Sequence, residues 1–108
     1  KKDFNVIYAE NDNMAKGAVA ALDKAGIEHG VGKKVIVMGF DCNKWALKEL
    51  LNKNWNYDGQ CNPFQSEYLD EIIKKLEAGE TVEKKIVMDE KGFDAETITE
   101  DDVNTYGI

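Results

Sequence analysis

The stretch Val6-Ile7-Tyr8-Ala9-Glu10-Asn11-Asp12-Asn13-Met14 contains the transition that decides the fold. Its first four residues form a short apolar run, which is typical of a strand covered on both faces in a parallel sheet. In the polar corner that follows, Asn11 or Asp12 is a good helix N-cap, and Gly26 is a natural stop. Between the cap and the stop, apolar residues recur at helical spacing, at Met14, Ala18, Leu22 and Ala25. The stretch therefore predicts a strand, a polar corner and a helix.

The same pattern repeats downstream. Residues 35–40 form a second buried strand that Asp41 closes, and Asn43 is placed to cap a second helix. The apolar positions of that helix are Trp45, Leu47, Leu50 and Leu51. A third and more polar strand is expected at about residues 56–60, nearer an edge of the sheet.

The last third of the chain begins at Pro63, which fixes its own backbone angle and keeps Asn62 out of helical geometry. We interpret residues 60–63 as a crossover or hinge. Ser66 then caps an amphipathic helix that ends at Gly79, with an apolar face of Tyr68, Leu69, Ile72, Ile73 and Leu76. A final strand is predicted at residues 85–88, and Thr99 and Asp102 have the spacing of a capping box. This alternation predicts the α/β class: a parallel sheet with flanking helices in a three-layer, Rossmann-like arrangement.

Composition restricts the classes of partner. The 108 residues carry a net charge of −7, from 21 acidic and 14 basic residues, and every basic residue is Lys. An acidic chain is a poor match for nucleic acid or an anionic membrane, and the absence of Arg disfavours an anionic ligand. No apolar run approaches the roughly 20 residues that span a bilayer. A neutral polar ligand fits best, and the charged start without Met predicts an upstream portion.

Cys42, Cys61 and His29 suggest no site of their own. The two cysteines form neither a CxxC motif nor a metal-like cluster with the histidine, so we expect two separate buried thiols. His29 is expected to be an exposed loop residue. The sequence shows no pairing of nucleophile and base and no metal triad, so we predict neither an enzyme nor a cofactor.

The carboxyl ends of the predicted strands should form a ligand site, because they meet at one edge of a parallel sheet. Asn11 can donate and accept hydrogen bonds there, Asp41 can accept from two hydroxyls, and Gln60 can do either. Phe40 offers an apolar face to the C–H side of a sugar ring. Structural roles compete with these: Asn11 and Asp41 as caps or turn residues, and Phe40, like Trp45, as part of the core.

Two motifs then resemble a known family. Residues 8–18 resemble the A-x-N-D-x-M-A-x-G-A corner of the ribose-binding type of sugar receptor, and residues 38–41 resemble its V-G-F-D strand end. Residues 60–63, Gln-Cys-Asn-Pro, are similar to the E-C-N-P hinge of receptors related to the galactofuranose-binding protein. The resemblance implies a C-terminal fragment of a type I periplasmic sugar-binding protein, the capture component of an ATP-driven (ABC) importer.

That resemblance also implies roles for single residues. Asn11 and Asp41 match positions that hydrogen-bond sugar hydroxyls, and Phe40 matches one that lines the pocket. Ribose-type receptors carry a sugar-contacting glutamine where this chain has Cys61. Gln60 instead occupies the glutamate position of the galactofuranose-like form, and its contact with ligand is inferred from that.

The implied layout has three parts. Residues 1–62 form a βαβαβ segment of the C-terminal lobe, residues 63–84 the hinge and a helix that packs on the missing N-terminal lobe, and residues 85–108 the final strand and tail. The implied partners are a monosaccharide and, through the intact protein, a membrane permease, with no nucleic acid. The implied location is extracytoplasmic, in the periplasm or lipid-anchored on the outer face of the cell membrane. The uncovered helix face predicts self-association of the fragment.

Two alternatives use the same kind of fold. Repressors resembling the lactose and purine repressors employ it to sense effectors, and the corners at Asn11 and Asp41 do not distinguish them from receptors. A phospho-acceptor receiver or an enzyme would use Asp12 and Asp41 as an acidic metal site. That alternative also requires a lysine after the last strand, which has no obvious counterpart here, and fold alone says little about function.

Overall fold

The structure, a computed structural model, describes residues 3–108, so Lys1 and Lys2 of the predicted 1–62 segment lie outside the described residues. Strands and helices alternate along the chain, as the sequence predicts. The elements are β1 (Val6–Tyr8), α1 (Asp12–Lys24), β2 (Ile36–Asp41), α2 (Lys44–Leu51), β3 (Tyr57–Gln60), α3 (Ser66–Glu77), β4 (Gly92–Asp94) and α4 (Glu100–Tyr106). The α/β class is therefore confirmed.

The four strands form one sheet in the order β1-β2-β3-β4. The first three strands run parallel, and β4 pairs antiparallel with β3, with Phe93 opposite Asp58. Two predictions about strands are wrong. β3 lies inside the sheet rather than at its edge, and the final strand is at Gly92–Asp94 rather than at residues 85–88, which form no strand.

The physical reason for the second error is that a strand requires both a partner edge and a core to pack on. Ile86 and Val87 have the β propensity that suggested a strand, but they are 45% and 72% exposed. Phe93 is 3% exposed and packs in the core while its strand takes the free edge of β3. Packing therefore overrides local propensity here.

Both crossover helices, α1 and α2, lie on the same face of the sheet. Right-handed crossovers between strands in consecutive order always step in one direction, which places their helices together. The core beneath them is formed by Ala9, Ala15, Leu22, Val35, Val37, Cys42, Ala46, Leu47, Leu50, Trp55, Phe93, Ala95, Ile98 and Val103.

The opposite face of the sheet carries apolar side chains that nothing covers. Val6, Tyr8 and Ile36 alternate with the buried positions and are 47%, 63% and 42% exposed. Residues 3–108 therefore build two layers, and the second helical layer of the three-layer arrangement is not formed by them. We call this surface the open sheet face.

The helix N-termini agree only partly with prediction. Asn11 caps α1, because its Oδ1 accepts a hydrogen bond from the Met14 backbone N–H at 2.8 Å. Asn43 stands at the N-cap of α2 without a side-chain cap bond. Ser66 does not cap α3, since Gln65 holds that position. The capping box of Thr99 and Asp102 on α4 is confirmed.

Helix α3 projects from the body of the molecule. None of its residues is buried, and Leu69, Ile73 and Leu76 are each more than half exposed. The radius of gyration is 17.8 Å, whereas a compact chain of this length has about 13 Å. The helix is thus an arm with an uncovered apolar face, as predicted. Within the described part of the chain, no helix combines the length and the apolar character that crossing a membrane requires.

Candidate functional site

The carboxyl ends of β1, β2 and β3 meet along one rim of the sheet. Asp41 and Gln60 are register partners on neighbouring strands, and Asn11 follows the end of β1 at Tyr8 by three residues. The rim defined by Asn11, Phe40, Asp41 and Gln60 is the edge that the sequence predicts for a ligand. Their contact with a ligand remains a prediction.

Asn11 can serve as a cap and as a donor at once. Its Oδ1 is occupied by the Met14 backbone N–H, which fixes the orientation of the amide. The side-chain NH2 group donates to no acceptor among residues 3–108. The amide is half-buried, so this donor is available to a polar ligand at the rim.

Asp41 lies in an unusual backbone conformation. Its φ is 115°, and the next residue, Cys42, has a φ of 59°. Positive φ is costly for a side chain with a Cβ and persists only where neighbouring contacts hold it, most often at functional sites. The Asp41 carboxylate makes no hydrogen bond within the described residues. Its oxygens are therefore available as acceptors.

Phe40 belongs to an aromatic surface beside the rim. Its ring lies 5.2 Å from that of Tyr8 with an interplanar angle of 57°. The ring also covers Gly59, where a Cβ would come within 2.6 Å of ring carbons. Phe40 is half-buried and Tyr8 is exposed, so Phe40 retains an accessible side. Trp45, by contrast, packs edge-on against buried Trp55 at 5.9 Å and belongs to the core.

Gln60 has a structural role that the sequence did not indicate. Its backbone N–H donates to the Lys91 carbonyl at 2.8 Å, and its Oε1 accepts from the Lys91 N–H at 3.2 Å. The side chain therefore holds the chain just before β4. Only the NH2 group of the amide is left for a ligand.

Beneath the rim lie two buried carboxyl groups whose pairing the sequence analysis missed. Asp12 and Asp58 are both 0% exposed. Asp12 Oδ2 accepts hydrogen bonds from the backbone N–H and the side-chain amide of Asn43, at 2.8 and 3.0 Å. Asp58 Oδ1 accepts from the Cys42 N–H at 3.4 Å. From the sequence, Asp12 is expected to be a cap or, with Asp41, part of an acidic metal site, and nothing in the polar strand around Asp58 signals that Asp58 faces the core.

Burial changes the acidity of three groups at this place. It raises the pKa of Asp12, which the hydrogen bonds from Asn43 partly oppose. It also raises the pKa of Asp58, and the charge of Asp12 raises it further. Desolvation, followed by the charge of Asp58, raises the pKa of the Cys42 thiol. Cys42 therefore stays protonated and is a poor nucleophile.

The remaining predictions on single residues are partly wrong. Both cysteines are free as expected, but Cys61 is exposed and only Cys42 is buried. His29 is not an exposed loop residue: its side chain is 11% exposed, and its ring nitrogens lie 2.8 Å from the Asn54 carbonyl and 3.0 Å from Asp23 Oδ1. This histidine joins the loop after α1 to the loop after α2.

The described residues contain no cluster of three or more His, Cys, Asp or Glu side chains suited to a metal ion. Asp12 is directed at Asn43, while Asp41 belongs to the rim. The hinge segment is tied to the chain before β4, because the Asn62 N–H donates to Glu90 Oε1 at 2.7 Å. Asn62 Oδ1 in turn accepts from the Phe64 N–H at 2.9 Å, which holds the bend at Pro63.

Comparison with known proteins identifies relatives, although no protein-family model matches the chain. The chain is 35% identical over 94 residues to the fructose import binding protein FruE of Bifidobacterium longum (strain NCC 2705). The match covers 87% of this chain and 28% of that protein.

Solved structures of sugar-bound proteins are also similar to this chain. A Mycobacterium smegmatis protein in complex with β-D-fucofuranose superposes with a TM-score of 0.73 at 30% identity, covering 87% of this chain and 30% of that one. An ABC transporter periplasmic solute binding protein from Actinobacillus succinogenes 130z with bound D-allose superposes with a TM-score of 0.71 at 30% identity. The match covers 85% of this chain and 31% of that one. The chain thus spans less than a third of each of these relatives.

Proposed function

We propose that the parent of this chain, which has the sequence and fold of a segment of the type I periplasmic sugar-binding proteins, captures a monosaccharide for a bacterial ABC importer. The observation that carries this proposal is the rim, where an amide donor, a free carboxylate and an aromatic face stand together at the ends of parallel strands. Vicinal hydroxyls on a ring with an apolar side require that combination.

Each rim residue has a distinct role in the proposed complex. Asn11 donates from its side-chain NH2 group to a sugar oxygen, since its Oδ1 is already engaged by Met14. Asp41 accepts from two hydroxyls. Phe40 stacks against the C–H side of the ring, and Gln60 contributes its NH2 group at the far end of the rim. The protein binds and releases its ligand without making or breaking a bond.

The segment supplies only part of the site. Its relatives are about three times as long, and the second lobe would contribute the side chains that close over the opposite side of the sugar. Residues 60–63 act as a hinge between the lobes, and the apolar face of α3 packs on the other lobe. Sugar binding favours the closed arrangement, which the membrane permease recognises. The protein then works outside the cytoplasm, in the periplasm or lipid-anchored, and the net charge of −7 disfavours nucleic acid as a partner.

The sugar is expected to differ from ribose. Cys61 stands where ribose-type receptors use a glutamine, and Cys61 cannot offer the same hydrogen bonds. The relatives are a fructose import binding protein and proteins solved with β-D-fucofuranose and D-allose. These sugars, together with other common pentoses and hexoses, define the panel to be tested.

Calorimetric titration of the full-length parent tests the proposal. We expect saturable binding, at one site per chain, of at least one sugar among D-fructose, D-fucose, D-allose, D-galactose, L-arabinose and D-ribose. Absence of binding to every pentose and hexose would contradict sugar capture. The upstream sequence gives an independent check, because a DNA-binding helix-turn-helix in place of an export signal would indicate a repressor instead.

A further inference from the structure

The buried carboxyl groups below the rim have no role in the proposed sugar contacts. Asp12 opens α1 and Asp58 lies in the middle of β3, and the side chains of both are fully buried. Buried ionised groups are costly unless they are paired, so the arrangement requires a physical explanation.

Each carboxyl group has one satisfied oxygen and one unsatisfied oxygen. Asp12 Oδ2 has two donors from Asn43, and Asp58 Oδ1 has the Cys42 N–H. Asp12 Oδ1 and Asp58 Oδ2 are buried and have no hydrogen-bond donor among residues 3–108. No lysine or histidine in that range donates to either group; the other titratable groups that act on them are Asp41, through its charge, and the Cys42 thiol, which donates to Asp58 Oδ1 at 3.9 Å.

The two unsatisfied oxygens belong to carboxyl groups that lie within hydrogen-bonding reach of each other on the core side of the sheet. Gly39 is the register partner of Asp58 on the neighbouring strand, and a Cβ at Gly39 would lie 2.6 Å from Asp12 Oδ1. Two acceptors without donors at one buried place repel each other when both groups are ionised. A single proton between them gives each oxygen a partner and removes one charge.

We propose that Asp12 and Asp58 share one proton, and that the resulting acid–carboxylate pair is a positioning device for Asp41. The second half of this proposal rests on the proposed function, because it assigns Asp41 to the sugar. The first half stands on the geometry of the pair alone.

The proton belongs mainly to Asp58. Asp12 Oδ2 accepts two hydrogen bonds at 2.8 and 3.0 Å, which favours its charged form. Asp58 Oδ1 accepts longer bonds from Cys42, at 3.4 Å from the backbone N–H and 3.9 Å from the thiol, so its charge would be less well compensated. Asp58 is therefore the acid that donates to Asp12 Oδ1, and burial raises its pKa accordingly.

The Asp12–Asp58 pair acts on Asp41 through the two residues that follow it, Cys42 and Asn43. Asp58 holds the Cys42 N–H and Asp12 holds Asn43, so both anchors lie directly after Asp41. These anchors support the consecutive positive φ angles of Asp41 and Cys42. Loss of the shared proton places two charges beneath this turn, which should disturb the turn and weaken sugar binding as the pH rises.

The test uses the full-length parent labelled with ¹³C at aspartate side-chain carboxyls and with ¹⁵N in the backbone. In the wild-type protein, we expect the Asp58 carboxyl carbon to titrate well above the usual range of aspartate, and the Cys42 and Asn43 amide signals to shift with the same midpoint. Asp58→Asn supplies an N–H in place of the proton, so the amide shifts should be absent across that pH range. Ordinary titration of both carboxyls, or amide signals that do not follow Asp58, would overturn the proposal.

Affinity for D-fructose supplies the second readout. In the wild-type parent, affinity should fall as the pH rises through the Asp58 midpoint. Asp58→Asn should stay within about threefold of the neutral wild-type value and lose the pH dependence, whereas Asp58→Ala, which leaves Asp12 Oδ1 and the Cys42 N–H unpaired, should bind about 5- to 100-fold more weakly. An equal loss of affinity in Asp58→Asn and Asp58→Ala would contradict positioning of Asp41 by the shared proton. If D-fructose fails to bind at all, only its assignment as ligand fails, and the NMR titration still decides on the shared proton.

Discussion

Asn43 donates two hydrogen bonds to the same oxygen of Asp12, from its backbone N–H at 2.8 Å and from its side-chain amide at 3.0 Å. The two residues are 31 positions apart and belong to different strand–helix corners. These two hydrogen bonds fix the first corner, which carries Asn11, against the second corner, which carries Asp41. The part of the rim that carries Asn11 and Asp41 is therefore held together by direct contacts between its two corners.

Replacement of Asn43 tests that connection. Asn43→Asp removes the side-chain donor and brings a second charge next to buried Asp12, so we expect unfolding to require about 2–3 kcal/mol less free energy. Chemical denaturation at neutral pH measures the change. Asn104→Asp, on an exposed position of α4, is the matched control and should change stability by less than about 0.5 kcal/mol. An equal loss in both variants would show that added charge alone is responsible.

Gly39 should not tolerate a side chain. A Cβ there would lie 2.6 Å from Asp12 Oδ1 and 2.9 Å from Trp55 Cζ3, inside the core. We expect Gly39→Ala to destabilise the protein by about 1–3 kcal/mol. Gly17→Ala on α1 is the control, because it meets nothing within 4 Å and should stabilise the helix by about 0.5–1 kcal/mol. Thermal unfolding of both variants gives the comparison, and a neutral Gly39→Ala would argue against the tight packing.

The capping box of α4 should matter for the tail. Thr99 accepts from the Asp102 N–H while the Asp102 carboxylate accepts from Thr99, so Thr99→Ala should cost about 1 kcal/mol. Thr105→Ala, an exposed position of the same helix, should be neutral or slightly stabilising. Denaturation of the two variants side by side measures the difference.

The same box predicts the sign of one acid effect. The hydrogen bond from Lys91, with those from Thr99, lowers the pKa of Asp102 to about 2. Because the folded pKa lies below that of the unfolded chain, near 3.8, this group stabilises the fold above that pH. Its contribution should be lost as the pH falls from about 4 toward 2. Asp102→Asn should therefore show a shallower loss of stability over that range than the wild type.

Asp41 should be the most sensitive rim residue in the proposed complex. Asp41→Asn keeps the size of the side chain and loses the charge that strengthens its bonds to hydroxyls. We expect the affinity of the parent for its sugar to fall about 10- to 100-fold, from the usual value of hydrogen bonds to charged groups. Asp101→Asn, exposed on α4, should leave affinity unchanged. Unaltered calorimetric affinity in Asp41→Asn would remove this residue from the site.

The isolated 108-residue chain should self-associate. Leu69, Ile73 and Leu76 expose about half of their surface on α3, and a second copy is the available cover when the chain stands alone. Sedimentation velocity should show a mass that rises with concentration. The double variant Leu69→Lys/Ile73→Lys should weaken that association, and Glu67→Lys outside the apolar face should not. A strictly monomeric wild type at all concentrations would contradict the prediction.

The sequence predicts the βα alternation because most of its strands and helices have recognisable local patterns. Apolar runs mark β1 and β2, and Asn11 and Thr99 have the side chains that cap helices. The final strand could not be located in this way, since Gly92–Asp94 has a single apolar residue and is defined by its partner, β3. Local pattern predicts elements, but pairing between distant segments decides which of them join the sheet.

The candidate rim follows from the same local signals, because strand ends are readily located. The buried carboxyl pair beneath the rim, Asp12 and Asp58, does not follow from local signals. Asp58 is separated from Asp12 by 46 positions, and the polar strand that contains it gave no sign of facing the core. That the two carboxyl groups converge depends on the order of the strands and on the space that Gly39 leaves.

The open sheet face has a consequence for anyone who wishes to use this segment as a stand-alone module. Val6, Tyr8 and Ile36 form an apolar surface that water must solvate in the isolated chain. An autonomous version would need polar substitutions at these three positions or two added helices laid across them. Without either change, we expect folding of this chain to be thermodynamically coupled to whatever covers the open sheet face in the proposed parent.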